Sequence, residues 1–163
     1  MKGFLVKLIV DISDARVSAD TNDELVTYSL GSCIGAALYD PVTKIGGMLH
    51  CQLPNARGDR EKAQKRPFMF ADSGMDLLLK KMIRLGAVKK RLKVKLAGGA
   101  QMMNDAKVFQ IGKRNYAAIR QYLWKNGMFI DAEDVGGGAP RNMQLAVTDG
   151  NVVIKTRGQS KNL

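Results

Sequence analysis

Histidine and cysteine, the side chains that most often bind zinc, are scarce in this 163-residue chain. It has one histidine, His50, and two cysteines, Cys33 and Cys51. The cysteines do not form a CxxC pair, so the four-ligand set of a structural zinc site is missing. We therefore expect a protein that uses no metal and no cofactor.

Long apolar runs are also missing. The first one, residues 4–10, is interrupted by Lys7 and closed by Asp11. It is too short for the apolar region of a signal peptide and far too short to span a membrane. We expect a cytoplasmic protein without membrane insertion. A disulfide between Cys33 and Cys51 is geometrically conceivable, but the reducing cytosol argues against it.

Acidic side chains are few relative to basic ones. The chain has 15 Asp and Glu against 26 Lys and Arg, a formal net charge of +11. Such a charge raises encounter rates with any acidic partner. A nucleic-acid-binding module is one interpretation, but only 6% of residues are aromatic and no RNP, KH or zinc-finger pattern occurs. We expect no nucleic-acid partner and keep this alternative as the less favoured one.

Part of the positive charge lies in residues 55–67, a polar stretch without an apolar period. The composition predicts an exposed loop. Two interpretations stay open: a solvated surface loop, or a loop that steers the protein towards acidic groups on a partner.

Apolar periodicity predicts more strands than helices. One helix is expected to begin at Asp72 or Ser73 and to stop at Gly86, and another to begin near Asn115, with Trp124 on or near its buried stripe. The predicted strands are residues 4–12, 24–28, 33–39, 45–53, 91–96, 128–132, 143–147 and 152–156.

These elements indicate an α/β (α+β) sandwich in which mixed sheets pack against two main helices. The length suits one domain with a sizeable core. We assign residues 1–157 to this domain and residues 158–163 to a polar C-terminal tail.

The segment Asp40-Pro41-Val42-Thr43 joins the two apolar strands that carry Cys33 and His50. With Pro41 and Val42 at the centre of a tight turn, Cys33 lies directly opposite His50. Opposed residues share a sheet face, with Cβ atoms roughly 4.5–5.5 Å apart. A longer loop with a bulge at Lys44 would shift the pairing by one residue and leave the two side chains within a diagonal neighbour's reach.

Three residues before or beside this pair fit the same chemistry. Gly31 and Ser32 precede Cys33 and can present backbone N–H groups, and the Thr27 hydroxyl can fix the imidazole tautomer. A thiol, a base, a group that orients the base and amides that receive an oxyanion make up a thiol acyl-transfer site. A lone Cys and a lone His are more often structural than catalytic, so the prediction depends on the hairpin that brings them together.

Short runs spread over nearly the whole chain carry a family resemblance. In order, they are VTYSLGSCIGAALYDP at 26–41, GGMLH at 46–50, LP at 53–54, LAGGA at 96–100, IGKRN at 111–115 and AEDVGG at 132–137. With these motifs the sequence resembles the chemoreceptor glutamine deamidase family, CheD.

The resemblance implies an amidohydrolase, a protein-glutamine glutaminase, in which Cys33 is the nucleophile, His50 its base and Thr27 the third member of the triad. The implied substrates are glutamine side chains of methyl-accepting chemotaxis receptors, whose signalling regions are long helical bundles. The implied fold is an α/β sandwich related to deamidating bacterial toxins. Some members also act on receptor methyl esters, and some bind the phosphatase CheC. A catalytically weak scaffold for a CheC-type phosphatase is therefore the main alternative.

Overall fold

The computed structural model describes residues 4–102 and 110–163, which form ten strands and three α-helices. The strands are β1 Val6–Ile9, β2 Asp14–Ser18, β3 Asp23–Leu30, β4 Ile34–Asp40, β5 Ile45–Cys51, β6 Lys93–Gly98, β7 Ala132–Val135, β8 Arg141–Ala146, β9 Val152–Thr156 and β10 Gln159–Asn162. The helices are α1 Arg60–Lys65, α2 Ala71–Leu85 and α3 Ile111–Lys125.

The strands form two five-stranded sheets. The first has the order β1-β3-β8-β9-β10 and the second the order β2-β5-β4-β6-β7. The pairs β1–β3 and β6–β7 are parallel, and the other pairs are antiparallel. The predicted α+β class, with mixed sheets and two main helices, is confirmed.

The two sheets pack face to face, and the long helices cover the outer face of the second sheet. Between the sheets, Leu25 and Met143 of the first sheet pack with Ala37 and Met48 of the second. The helices bury a second apolar cluster against the opposite face of β4, β5 and β6, to which they contribute Met75, Leu78, Met82, Ile119 and Leu123. Strand β4 lies at the centre of its sheet with both faces covered, so all seven of its residues are buried.

Both long helices start earlier than predicted. Helix α2 begins at Ala71, and Ser73 lies in its first turn, where its hydroxyl donates to Pro67 O (2.6 Å). It ends as predicted at Gly86, which takes a left-handed conformation (φ 117°). Helix α3 begins at Ile111, four residues before the predicted start at Asn115.

Trp124 is not on the buried stripe of α3. Its side chain is 79% exposed, whereas the preceding residue, Leu123, is buried. The two positions are consecutive, so they lie about 100° apart around the helix and only one of them can face the sheet.

Most of residues 55–67 are exposed, as predicted, but they are not a simple loop. They contain the short helix α1, where the Asp59 carboxylate accepts the N–H of Lys62 (3.0 Å) as an N-terminal cap. The strand expected at 128–132 lies further along the chain, as β7. Asp131 makes two hydrogen bonds with the Val94 backbone at the start of β6. The parallel pairing of β6 with β7 begins at the next residue, Ala132.

The segment 158–163 is polar and exposed, but residues Gln159–Asn162 form the edge strand β10 beside β9. Strand β2 was not predicted: Ala15 and Val17 alternate with polar residues, but two small apolar side chains in five residues are a weak strand signal. In the part of the chain that the structure covers, helices long and apolar enough to cross a membrane do not occur.

Candidate active site

The hairpin that carries Cys33 and His50 has a longer loop than the tight turn expected from sequence. Asp40 pairs with Ile45, and His50 therefore lies opposite Gly35 and not opposite Cys33. The pairing is shifted by two residues from the predicted one. An even shift keeps every side chain on its predicted face, because side chains alternate with a period of two. Cys33 becomes a diagonal neighbour of His50.

Asp40 sets this register. Its buried carboxylate accepts the backbone N–H groups of Val42 and Thr43, and its carbonyl accepts the N–H of Lys44, which takes a left-handed conformation (φ 55°). Arg91 adds an ion pair at 2.9 Å. Although burial alone would raise the pKa of Asp40, the bonds from Arg91 and the backbone hold it well below its usual value.

Cys33, His50 and Thr27 all face the layer between the two sheets. Cys33 packs against the inter-sheet cluster and keeps partial exposure, whereas His50 and Thr27 are fully buried. The geometry thus brings the three residues of the predicted triad to one face, with the thiol nearest the solvent.

Thr27 and His50 are in direct contact, and their hydrogen bonds fix the imidazole tautomer. The Thr27 hydroxyl donates its single hydrogen to Val10 O at 2.7 Å. Its oxygen lies 2.7 Å from His50 Nδ1, so it accepts a hydrogen bond from an Nδ1–H. The proton therefore sits on Nδ1, and Nε2 carries the lone pair. Among residues 4–102 and 110–163, Nε2 has no hydrogen-bond partner.

Burial keeps His50 neutral. It lowers the pKa of the imidazole to about 4, and the nearby Asp11 carboxylate opposes this shift only in part. At physiological pH the imidazole is therefore neutral with a lone pair on Nε2, the protonation state of a general base, although a pKa of about 4 makes it a weaker base than an exposed histidine.

The second cysteine, Cys51, belongs to a different environment. It faces the helices, on the opposite side of the sheet from Cys33, and its thiol donates weakly to Ile34 O at 3.7 Å. Burial raises its pKa to about 12, so it is a poor nucleophile. The two cysteines are not joined in a disulfide.

Backbone hydrogen bonds to the carbonyl groups of Gly31 and Cys33 fix the turn before Cys33. Gly31 O accepts from Ala100 N and Cys33 O accepts from Gly99 N, each at 2.8 Å. The Gly31 N–H, predicted as an oxyanion donor, donates to Ser29 O at 3.0 Å and is therefore engaged within the turn. The amide of Ser32 is the other oxyanion donor predicted at this turn.

Sequence reasoning missed Asn115 of α3 as a site residue, although it lies in the quoted IGKRN motif. Its side chain is fully buried, and its Nδ2 donates to Ser32 O and to Gln52 O, each at 2.9 Å. A buried asparagine on the apolar side of an amphipathic helix was the available signal.

Fold and site together define an α+β sandwich that presents a thiol, a neutral imidazole and a hydroxyl on one inter-sheet face. A family model described as "CheD chemotactic sensory transduction" matches residues 52–156. "Probable chemoreceptor glutamine deamidase CheD 1" of Syntrophus aciditrophicus is 47% identical over 151 residues, which are 93% of this chain and 94% of that protein. "Probable chemoreceptor glutamine deamidase CheD" of Solibacter usitatus is 43% identical over 157 residues, 96% of this chain and 93% of that protein. The chain belongs to the CheD family.

A solved structure, the hypothetical protein YfiH of Bacillus licheniformis, is also similar in part. It is 17% identical with a TM-score of 0.44, and the match covers 74% of this chain and 49% of that one.

Proposed function

We propose that this protein hydrolyses the side-chain amide of selected glutamines on methyl-accepting chemotaxis receptors, in the cytoplasm, and converts them to glutamates. The observation that carries the proposal is the Thr27–His50 pair on the same inter-sheet face as Cys33. Its tautomer leaves a lone pair on Nε2, and the relatives' printed names supply the substrate class.

In the first half of the reaction, His50 Nε2 accepts the Cys33 thiol proton and the thiolate attacks the glutamine carboxamide carbon. The N–H groups of Ser32 and Cys33 stabilise the oxyanion that forms. The intermediate collapses to a thioester, and the imidazolium gives its proton to the departing ammonia.

In the second half, water attacks the thioester carbon and gives a proton to Nε2. The second oxyanion collapses, the C–S bond breaks, and the thiolate takes the proton back from His50. The products are a glutamate side chain and the original enzyme. Thr27 holds Nδ1–H throughout, so Nε2 faces the reacting atoms in both halves.

The cysteines provide the test. We expect Cys33→Ala to abolish ammonia release from purified receptor cytoplasmic fragments, and Cys51→Ser to keep most of it, because the Cys51 thiol is buried on the helix side of the sheet. Peptide mass spectrometry of the fragments identifies the converted glutamines. Loss of activity in Cys51→Ser with retention in Cys33→Ala would refute the assignment.

Alkylation by iodoacetamide distinguishes an enzyme from a scaffold that only holds a CheC-type phosphatase. If the protein is an enzyme, Cys33 should be alkylated much faster than Cys51, and the rate at Cys33 should fall in a His50→Gln variant. Slow alkylation of Cys33 at the same rate in wild type and His50→Gln would favour the scaffold. The same fragments carrying methyl esters would show whether ester cleavage accompanies deamidation.

A further inference from the structure

One buried side chain joins the two segments that carry the proposed catalytic groups. Asn115 Nδ2 donates to Ser32 O, one residue before Cys33, and to Gln52 O, two residues after His50. Both bonds are 2.9 Å long, and the side chain has no exposed surface. Asn115 Oδ1 lacks a partner within the described ranges 4–102 and 110–163, so the residue acts through these two donated bonds.

The bond to Ser32 O also fixes an amide. A trans peptide group is planar, and its C=O and N–H point in opposite directions. Because Ser32 O points to Asn115, the N–H of Cys33 in the same peptide group points away from α3. The bond from Ala100 N to Gly31 O directs the Ser32 N–H by the same reasoning.

We propose that Asn115 is a positioning residue for the reaction. It sets the separation between the thiol-bearing turn and the imidazole-bearing strand, and it directs the Cys33 amide towards the oxyanion. This inference rests on the proposed function. A displacement of about 1 Å between reacting groups can reduce the rate about 100-fold.

The variants Asn115→Asp and Asn115→Ala test the proposal, with Ile119→Ala as the matched control. Aspartate has the size of asparagine but no hydrogen to donate to the two carbonyls. Ile119 is one turn further on α3 and equally buried, but it packs only in the apolar core. We expect kcat on a receptor fragment to fall about 10- to 100-fold in both Asn115 variants, with KM within about twofold. Ile119→Ala should lower Tm and leave kcat unchanged.

Alkylation of Cys33 by iodoacetamide gives a readout that does not depend on the receptor. Its pH profile should change in the Asn115 variants and not in Ile119→Ala. Equal kcat losses in Asn115→Ala and Ile119→Ala, with unchanged alkylation, would overturn the positioning role. A wild-type protein that releases no ammonia from the receptor would instead overturn the proposed function.

An independent observation concerns the far end of α3, where two aromatic side chains stand in solvent. Trp124 is 79% and Phe129 83% exposed, and both line an open hollow of about 700 Å³ that also contacts the buried Leu123 and Met128. Large contiguous exposed apolar surface on a soluble domain marks interaction sites.

The rim of this surface is basic. A second hollow of about 560 Å³ shares Phe129 and Met128 with the first. The two hollows are lined by five cationic residues, Lys89, Lys90, Arg91, Lys93 and Arg120, and by a single carboxylate, Asp131. Arg91 is neutralised by Asp40, and the excess of positive charge remains. Exposed Trp with neighbouring Arg is the composition of binding hot spots.

The surface lies far from Cys33. The start of β6, Lys93, pairs with Tyr39 beside the hairpin loop, whereas the end of β6, Gly98, pairs with Ile34 beside Cys33. Tyr39 is six positions after Cys33, which at about 3.3 Å per residue is roughly 20 Å. Along α3, Trp124 is nine positions after Asn115, the residue bonded to Ser32 O, which at about 1.5 Å per residue is roughly 14 Å. An occupant held by Trp124 and Phe129 is therefore anchored away from the thiol.

We propose that this surface, defined by Trp124, Phe129 and the basic rim, docks an acidic amphipathic helix of the receptor at a distance from the reacting glutamine. The charge of the rim selects an acidic partner, and a groove with apolar anchors suits one face of a helix. This second inference also rests on the proposed function.

The double variant Trp124→Ala, Phe129→Ala tests the docking surface, with Phe4→Ala as control because Phe4 is 94% exposed and lies outside both hollows. With a long helical receptor fragment, KM should rise about tenfold and kcat should stay unchanged. With a short peptide that holds the same glutamine, neither constant should change. The control should behave as wild type with both substrates.

Three outcomes would overturn the docking surface. One is an unchanged KM for the long fragment, and another is an equal rise for fragment and peptide. The third is an unchanged KM with loss of binding to vesicles of phosphatidylserine and phosphatidylcholine, which would make the surface a membrane contact. Absence of deamidation by the wild-type protein would instead count against the proposed function.

Discussion

At the level of single residues, the Thr27–His50 contact is the most specific chemical feature of the molecule. A hydroxyl that already donates to a carbonyl can only accept from the imidazole, so the tautomer follows from two distances of 2.7 Å. Thr27→Val keeps the shape of the side chain and removes the acceptor. We expect kcat to fall roughly 10- to 100-fold, which is less than loss of a general base itself costs.

Thr27→Ser is the matched control, because serine keeps the hydroxyl. It should retain most of the activity, measured as ammonia release from receptor fragments. If Thr27→Val were as active as wild type, the hydroxyl would not orient the base.

His50 also makes stability depend on pH. Its folded pKa, about 4, is below the unfolded value of about 6.5, so the unfolded chain binds the proton more tightly. Stability is therefore full above the unfolded pKa and falls as the pH drops from about 6.5 to about 4. Between about pH 7.5 and pH 5 we expect a loss of about 2 kcal/mol from this group.

Urea unfolding at these two pH values measures the loss. Since His50 is the single histidine of the chain, His50→Gln should remove most of this pH dependence in that range. An unchanged pH dependence in His50→Gln would show that other groups cause it.

The residue pattern was enough to predict that Cys33, His50 and Thr27 face the same layer between the sheets, but not the pairing register. The sheet face on which a side chain lies depends only on whether the register shift is even or odd. The shift here is two residues, so each side chain keeps its predicted face. The loop length depends on the Asp40 carboxylate and its bond to Arg91, a residue 51 positions away. Asn115 was missed for a similar reason, because its two acceptors are backbone carbonyls from distant segments.

At the level of elements, long periodic segments were predictable and short ones were not. Helix α2 and the hairpin of β8 and β9 follow their apolar patterns. Strand β2 has only Ala15 and Val17 as apolar residues, so its pattern is short and weak, and the strand depends on its pairing with β5. Trp124 was assigned to the buried stripe because its hydrophobicity suggested it, whereas the helix rotation places Leu123 there.

The residues at and after the end of β6 pack against the turn that carries Cys33, and Gly98 makes this close packing possible. It has φ 106°, and a Cβ at this position would lie 2.2 Å from Cys33 O. Gly98→Ala must therefore push the Cys33 backbone away. We expect a stability loss of about 2–4 kcal/mol from strain and overpacking, together with a reduced kcat.

Gly127→Ala is the control for the cost of placing alanine at a positive φ, without the contact with Cys33. Gly127 also has a positive φ (66°), but a Cβ there has nothing within 4 Å. This variant should lose about 1 kcal/mol in urea unfolding and keep kcat. Equal effects in the two variants would show that the contact with Cys33 is unimportant.

At the level of the whole molecule, the sequence indicated a sandwich but not which strand joins which sheet. Strand β1 pairs with β3 in one sheet, while β2, which lies between them in the chain, pairs with β5 in the other. Long-range pairings of this kind are decided by how the inter-sheet cluster packs and not by local propensity. The consequence for function is direct: Thr27 and His50 come from different sheets, so the site exists only when the sandwich is closed.

The net charge of +11 acts at this scale too. Residues 55–67 follow β5, which carries His50 near its end, and Arg57, Arg60 and Lys62 are exposed. Their field can attract an acidic receptor surface towards this end of the molecule. Replacing all three by glutamine should lower kcat/KM several-fold at low salt.

The salt dependence and a charge-matched control distinguish steering from a general charge effect. The screening length falls from about 10 Å at 0.1 M salt to about 3 Å at 1 M, so the kcat/KM values of the variant and the wild type should converge as salt is added.

Replacing Lys80, Lys81 and Arg84 by glutamine removes the same charge from the exposed side of α2. The end of this helix lies near Ile45, at the loop end of the hairpin. This control should reduce kcat/KM less, because the charge it removes is far from Cys33. A loss in the first variant that persists at 1 M salt, or an equal loss in the control, would contradict steering by residues 55–67.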